Sequence, residues 1–184
     1  GVLGSGLMPS VFAEAGVAYM AEHGATAEDF ARVSVKNHEH STRNPLARYQ
    51  IETPLDVVMG AEMIAFPNTK LMCSVNVDGA AAAVLASERK AKELGLGRAV
   101  RVKASVLTSD PWQERDLVMP DVNSCTRLAA KSAYEMAGVG PEDINLVELH
   151  DCFATVEILH YENLGLCNDG EAGRMIDEGE TALG

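Results

Sequence analysis

The sequence contains no long apolar run. None of its hydrophobic stretches approaches the roughly 20 residues that a helix needs to cross a bilayer. The opening GVLGSGLMPS lacks the charged-then-apolar order of a secretion signal. Positive charge is also scarce: 15 Lys and Arg face 27 Asp and Glu, for a net charge of -12. A chain so acidic offers no basic face to neutralise a phosphate backbone, and no nucleic-acid partner is expected. The four cysteines, Cys73, Cys125, Cys152 and Cys167, include no CxxC pair. That excludes the patterns of a zinc ribbon and of a disulfide framework, so reduced thiols and no metal are expected. Cys73, Cys125 and Cys167 sit among apolar neighbours and read as small core residues. The glycines of GVLGSG lack both the Lys-Ser/Thr ending and the preceding strand of a phosphate loop. No short-period repeat or low-complexity tract is present. The one tryptophan, Trp112, lies in the polar stretch SDPWQERD and reads as a loop anchor.

What is present is enough to fold. With 184 residues, 47% of them hydrophobic, the chain can bury a sizeable core in one or two domains. Neither end reads as a natural boundary, since GETALG stops without a terminating element and the first ten residues read as a loop; a part of a longer chain is expected. Pro9 to about His23 has helical spacing, with Gly24 as its left-handed stop. Thr26 and Asp29 open a second helix as a capping box, which must end before Asn44-Pro45. Thr53-Pro54 predicts a third helix through LDVVMGAEMI, with threonine as cap and proline at the first helical position.

From about residue 70 the pattern changes. KLMCSVNVDGAAAAVLAS runs apolar and gives way to the charged helix SERKAKELG. VRVKASVL alternates like a half-buried strand. SCTRLAAKSAYEMAG is a helix with Gly138 at its exit, PEDINLVELH carries a strand, and ATVEILHYENLG the next helix. The order βαβαβα predicts an α/β fold, a layered sheet with helices on its faces.

The stretch VELHDCFATVEILHYENLGLC, residues 147 to 167, is where chemistry is expected. A strand that ends near Leu149 would deliver His150, Asp151 and Cys152 to the carboxyl edge of a sheet, where open α/β folds bind ligands. His150 and Cys152 are then expected on one loop facing one cavity. Histidine exchanges protons near neutrality, and a thiol before a helix N-terminus is biased toward thiolate. An acid/base thiol and an oxyanion-stabilising histidine fit these positions. So, on spacing alone, do a hydrogen-bonded loop histidine and an ordinary buried thiol.

Three motifs in order decide between these readings. ELHDCFATVEILHYENLGLC resembles the HDCF region of sterol-carrier-protein-type thiolases, the branch in which HDCF replaces the NEAF motif. KNHEHSTRNPLARYQ, from Lys36 to Gln50, is similar to that branch's KNHxHSxxNP segment. CSVNVDGAAAAVLASE, from Cys73 to Glu88, resembles its Cys-then-DGAAA segment. The resemblance implies a thiolase-like layered αβαβα fold, here the helical loop domain over residues 1–70, the end of the N-terminal half over 71–95 and the start of the C-terminal half over 96–184. It gives His150 an oxyanion-hole role and Cys152 the acid/base role, with Asp151 and Phe153 as shaping residues. The family also needs a nucleophilic cysteine before the loop domain and a GHP histidine further on. Neither is in these 184 residues, and Cys73, Cys125 and Cys167 match no nucleophile position, so this chain alone is expected not to turn over. His160, inside a helix, is no substitute.

Lys36, His38, His40, Arg43 and Arg48 form a local basic cluster. The resemblance puts the cluster beside the coenzyme A site, where Lys36, His40 and Arg43 are candidates for phosphate contacts. Cations lying on a helix C-terminal dipole account for it equally well. The expected activity is that of an acyl-CoA C-acyltransferase, a 3-oxoacyl-CoA thiolase, with coenzyme A as substrate, no resident cofactor, a homodimeric assembly and a cytoplasmic location, peroxisomal in a eukaryote. One rival is a retro-aldolase of steroid side chains acting with an OB-fold partner subunit; another is a non-catalytic acyl-CoA or lipid carrier.

Overall fold

The computed structural model describes residues 7–112 and 122–183. The glycines of GVLGSG and the second half of the SDPWQERD loop lie outside the described residues. The helical first part forms largely as its local signals dictate. Helix α1 spans Met8–His23 and ends where Gly24 takes the left-handed φ of 73°, a conformation that glycine adopts without steric cost. Helix α2 spans Ala27–Thr42, and the Thr26–Asp29 capping box is present in both directions. Helix α3 is shorter than the sequence predicts. It covers only Leu55–Met59, with Pro54 as the N-cap instead of the first helical residue, and ends at Gly60. The residues beyond it turn into β1, Met63–Ala65, paired antiparallel with β2, Asn68–Thr69. Pro67 stands between them after a cis peptide bond. Glycine at position 60 and the tight turn at Pro67 favour a hairpin over continued helix.

Further along, α4 (Glu88–Glu93), α5 (Ser124–Ala137), α6 (Ala154–Asn163) and α7 (Ala172–Asp177) follow. Helices α4, α5 and α6 lie where the sequence places them, and Gly138 closes α5 with φ 66°. The strands expected between them do not form. Residues 74–87, 98–112 and 144–150 carry no ladder among the described residues, and the two-stranded β1–β2 sheet is the sheet present there. A strand exists through its neighbour's N–H and C=O groups. These segments have no such neighbour: Leu146, Val100 and Leu107 are 74%, 91% and 97% exposed. Trp112 is likewise fully exposed instead of anchoring its loop.

The core sits where α1, α2, α6 and α7 meet. Phe30, Val33, Val58, Ile158 and Ala172 are fully enclosed there. Helix α6 lies at the centre, buried on all sides except at His160. Gly16 lets α1 approach it, since a Cβ at position 16 would lie 2.6 Å from Thr155 Cγ2 and 3.3 Å from Pro67 Cγ. A helix this enclosed must satisfy its own polar side chains. Glu162 accepts from the Tyr19 hydroxyl and, at 2.8 Å, from the Gly170 N–H. Asn163 accepts from Arg127 Nε at 2.8 Å. No described helix is long and apolar enough to cross a membrane.

Candidate active site

The central helix positions the candidate site. Phe153 caps α6 in an extended conformation, with φ -144° and ψ 150°. His150, Asp151 and Cys152 precede it directly. The Ser74 N–H donates to the Cys152 carbonyl at 2.9 Å, and Cys73 pairs with Phe153 in an isolated antiparallel bridge. The stretch that leads into DGAAA is thereby stitched to the HDCF loop, and the Cys73 thiol is pushed up first by burial and then by the charge of Cys152.

The loop is held from its other side by α2. Asn37 Nδ2 donates to Asp151 Oδ2 at 2.9 Å and to Glu157 Oε2 at 2.7 Å. Lys36 Nζ forms an ion pair with Glu157 Oε1 and donates to the Tyr161 hydroxyl at 2.9 Å and to Thr181 Oγ1 at 3.3 Å. The Tyr161 hydroxyl in turn donates to Glu157. All three sequence segments singled out at the start therefore converge: KNHEH through Asn37, Cys-DGAAA through Ser74, and HDCF itself.

Electrostatics differ from the simplest expectation at Cys152. The helix N-terminus was to favour its thiolate, yet the thiol is pushed above its ordinary value, first by burial, with the Asp151 charge acting in the same direction. Hydrogen bonds from the backbone at Cys152 and Phe153 oppose this and lose. Asp151 is pushed up to about 7, first by burial and then by its hydrogen bond and charge repulsion with Glu157. For Glu157 burial works against ionisation, but the Lys36 charge and the hydrogen bonds from Lys36, Tyr161 and Asp151 outweigh it and hold the carboxylate below its ordinary value. His160 is pushed down, first by burial, with His150 adding to the effect. His150 itself is exposed.

The three residues proposed for coenzyme A phosphates lie together on α2 and its C-cap, where His40 feels the charges of both Lys36 and Arg43, but their partners differ. The Lys36 side chain is only 12% exposed and its charge is committed to Glu157, so it is turned away from an outer phosphate. His40 Nε2 accepts the Leu183 N–H at 3.1 Å, and burial followed by the nearby Lys36 charge pushes its pKa down. Of the three, Arg43 keeps its charge at the surface, 3.2 Å from Glu39. His38 Nδ1 lies 3.0 Å from Thr53 Oγ1, and Arg48 rests over the Tyr49 ring. The four cysteines are all half-buried and free; Cys167 packs against the core as expected, whereas Cys73 and Cys125 are not among the residues that form or line it. Among the described residues no group of three or more His, Cys, Asp or Glu could hold a metal ion.

Two hollows are open on the surface, and neither is lined by His150 or Cys152. One, of about 750 Å³, lies between α5 and α6 and includes Arg127, Tyr134 and Glu162. The other, of about 370 Å³, lies along α1 and includes Ala13, Val17 and Phe66. The residues that sequence reasoning missed are Asn37, Glu157, Tyr161 and Thr181. A signal existed for two of them: Glu157 and Tyr161 are four apart, and so share one face of a helix.

Comparison with known proteins fits this convergence. Residues 109–184 match the thiolase C-terminal domain-like family. The chain is 42% identical over 168 residues to the benzoylsuccinyl-CoA thiolase subunit BbsB of Thauera aromatica, covering 90% of this chain and 43% of that protein. It is 39% identical over 180 residues to sterol carrier protein 2 of Oryctolagus cuniculus, covering 96% of this chain and 33% of that protein. An acetyl-CoA acetyltransferase of Methanothermobacter thermautotrophicus is 39% identical over 178 residues, covering 95% of this chain and 45% of that protein. The chain thus spans between 33% and 45% of the length of these relatives. In structure it is similar to the Ltp2-ChsH2(DUF35) aldolase, with a TM-score of 0.71 at 24% identity over 92% of this chain and 45% of that one. Together with the family match, that likeness shows a thiolase-like partial domain, here a helical arrangement with one small sheet among the described residues. With the family match at one end, relatives along the whole length and the three motifs drawn to one place, the chain belongs to the thiolase superfamily.

Proposed function

We propose that these residues carry the acid/base part of an acyl-CoA C-acyltransferase of the sterol-carrier-protein type, with residues 1–70 as its loop domain, 71–95 closing the first half and 96–184 opening the second. The observation that supports the reading most is the joining of Asn37, Ser74 and the 150–152 loop by hydrogen bonds of 2.9 Å each, from Asn37 to Asp151 and from Ser74 to Cys152. The relatives named thiolase and acetyl-CoA acetyltransferase point to the same chemistry.

In the thiolytic direction, the thiolate of a cysteine supplied outside these residues adds to the 3-oxo carbon of a 3-oxoacyl-CoA. The bond between C2 and C3 then breaks, and its electron pair passes to the C2 side as an acetyl-CoA enolate. The Cys152 S–H gives its proton to that carbon. The Cys152 thiolate next takes the proton of the incoming coenzyme A thiol, whose sulfur attacks the acyl-cysteine and releases the shortened acyl-CoA. A thiol that burial keeps protonated is suited to the first of these steps. His150, exposed at the same loop, donates to the thioester oxygen as its charge develops. Arg43 is the remaining surface cation of the basic cluster for a coenzyme A phosphate, and the enzyme acts as a homodimer.

Incubation of the intact natural protein with a 3-oxoacyl-CoA and coenzyme A tests this. Release of acetyl-CoA with a transient acyl-cysteine is expected. Cleavage of a hydroxyacyl-CoA without an acyl-enzyme, dependent on an OB-fold partner, would establish the retro-aldolase instead. Binding without turnover of either substrate would leave a carrier.

A further inference from the structure

The acid/base role of Cys152 leaves open what holds its loop in place, and the structure answers this behind the loop. We propose that Asn37 is a positioning residue for Cys152: its carboxamide ties Asp151 and Glu157 into one hydrogen-bonded unit and so fixes the 150–152 loop between α2 and α6. The inference rests on the reading of Cys152 as the acid/base group.

A carboxamide has two N–H donors, and here each serves a different acid, Asp151 Oδ2 at 2.9 Å and Glu157 Oε2 at 2.7 Å. The two acids also hydrogen-bond one another, and the amide donors add to that link on the side where Asp151 and Glu157 face α2. Lys36 lies on the Glu157 side and makes the unit unsymmetrical. Glu157 is therefore the stronger acid of the two and Asp151 the one that takes up a proton first as pH falls, in line with the opposite directions in which their pKa values move. One peptide unit further on, the Cys152 carbonyl is fixed by the Ser74 N–H at 2.9 Å. Cys152 is thus anchored on both sides, by Asn37 through Asp151 and by Ser74 directly. The anchoring also sets its charge environment, because the Asp151 charge opposes thiolate formation at Cys152 and a protonated Asp151 does not.

The other groups around the Asp151–Glu157 pair are accounted for. From α2 come Lys36 and His40, and from α6 Glu157, His160 and Tyr161. Cys73 faces Cys152 from the segment after β2, and His150 and Cys152 lie on the loop itself. Among these, Asn37 is the group that bonds both acids at once.

The test measures Cys152 directly and needs no turnover. In the intact natural protein, the rate of Cys152 alkylation by iodoacetamide is followed by peptide mass spectrometry from about pH 6 to about pH 9, spanning the ordinary thiol range. The wild-type profile should bend at about 7, where Asp151 takes on charge. Asn37→Asp removes both donors and adds a third carboxylate; a rise of about one unit in the thiol pKa would lower alkylation near neutrality about tenfold. Thiolysis kcat should fall with it while KM for the acyl-CoA changes less than about threefold, since Asn37 touches no substrate. Asp151→Asn keeps the shape and abolishes the titration, so its profile should follow a single thiol with no bend. Should Asn37→Asp fail to fold, Asp151→Asn decides the matter alone. Wild-type alkylation in Asn37→Asp, or a bend that persists in Asp151→Asn, overturns the proposal. Because alkylation is read without catalysis, that failure is distinct from failure of the thiolase reading, which would show as normal turnover without Cys152.

Discussion

Removing the ammonium of Lys36 is the most informative perturbation of the buried network. The Lys36 and Glu157 side chains are only 12% and 7% exposed, so their interaction is little screened by solvent. Lys36→Met keeps the length and the apolar stem of the side chain and deletes the charge. Glu157 would then keep one strong neighbour fewer in a site where burial opposes its ionisation, and the Tyr161 hydroxyl and Thr181 would lose a donor. Breaking a buried pair by deleting one partner costs about 3–5 kcal/mol. The pH dependence has a definite sign. The folded-state pKa of Glu157 is depressed, so the stability from its pairing is present above the unfolded value and is lost as pH falls through the folded value. In the variant the strongest influence holding that pKa down is gone, and Glu157 takes up a proton more readily as pH falls. The deficit of Lys36→Met should therefore be largest at neutral pH and shrink toward acid. Urea unfolding of the natural protein and the variant, monitored by circular dichroism, measures it. Adding Glu157→Gln should restore at least about half of the loss, because no buried charge is then left alone. A loss under about 1 kcal/mol that is independent of pH would be the signature of an exposed pair and would refute the burial argument.

Two further outcomes follow from local geometry. Gly16→Ala should destabilise the protein by about 1–3 kcal/mol through overpacking, since the new Cβ would stand 2.6 Å from Thr155 Cγ2; combining it with Thr155→Ser, which removes that methyl, should recover most of the loss in a thermal melt. Thr26→Ala removes half of the capping box on α2 and should cost about 1 kcal/mol in the same assay, whereas an unchanged melt would show that the cap is not what starts the helix.

The sequence was most legible where the signal is local. Thr26 and Asp29, Gly24 and Gly138 each act within a turn of their own helix, and α1, α2 and α5 begin and end close to where those residues put them. The start of α6 just after HDCF was legible for the same reason. The strands at 98–112 and 144–150 were not borne out, because alternation expresses a preference that only a paired neighbour can realise. The ion pair of Lys36 was illegible for a related reason: its partner is 121 residues away on α6, and no spacing rule reaches so far. The same distance hid Asn37, whose neighbours His38 and His40 drew attention as titratable groups while a neutral amide did not. Motif resemblance singled out three segments that lie together, and side-chain geometry shows which members of each segment meet.

Cys152→Ala in the intact natural protein tests the central claim most directly. If this thiol moves the proton while another cysteine carries the acyl group, its loss should slow steady-state thiolysis by about two to four powers of ten, the range for a positioned acid or base. Coenzyme A binding measured by calorimetry should stay nearly unchanged, because the deleted sulfur is at the reacting centre and not among the coenzyme contacts. Thiolysis close to the wild-type rate would contradict the account, excluding Cys152 as the acid/base group.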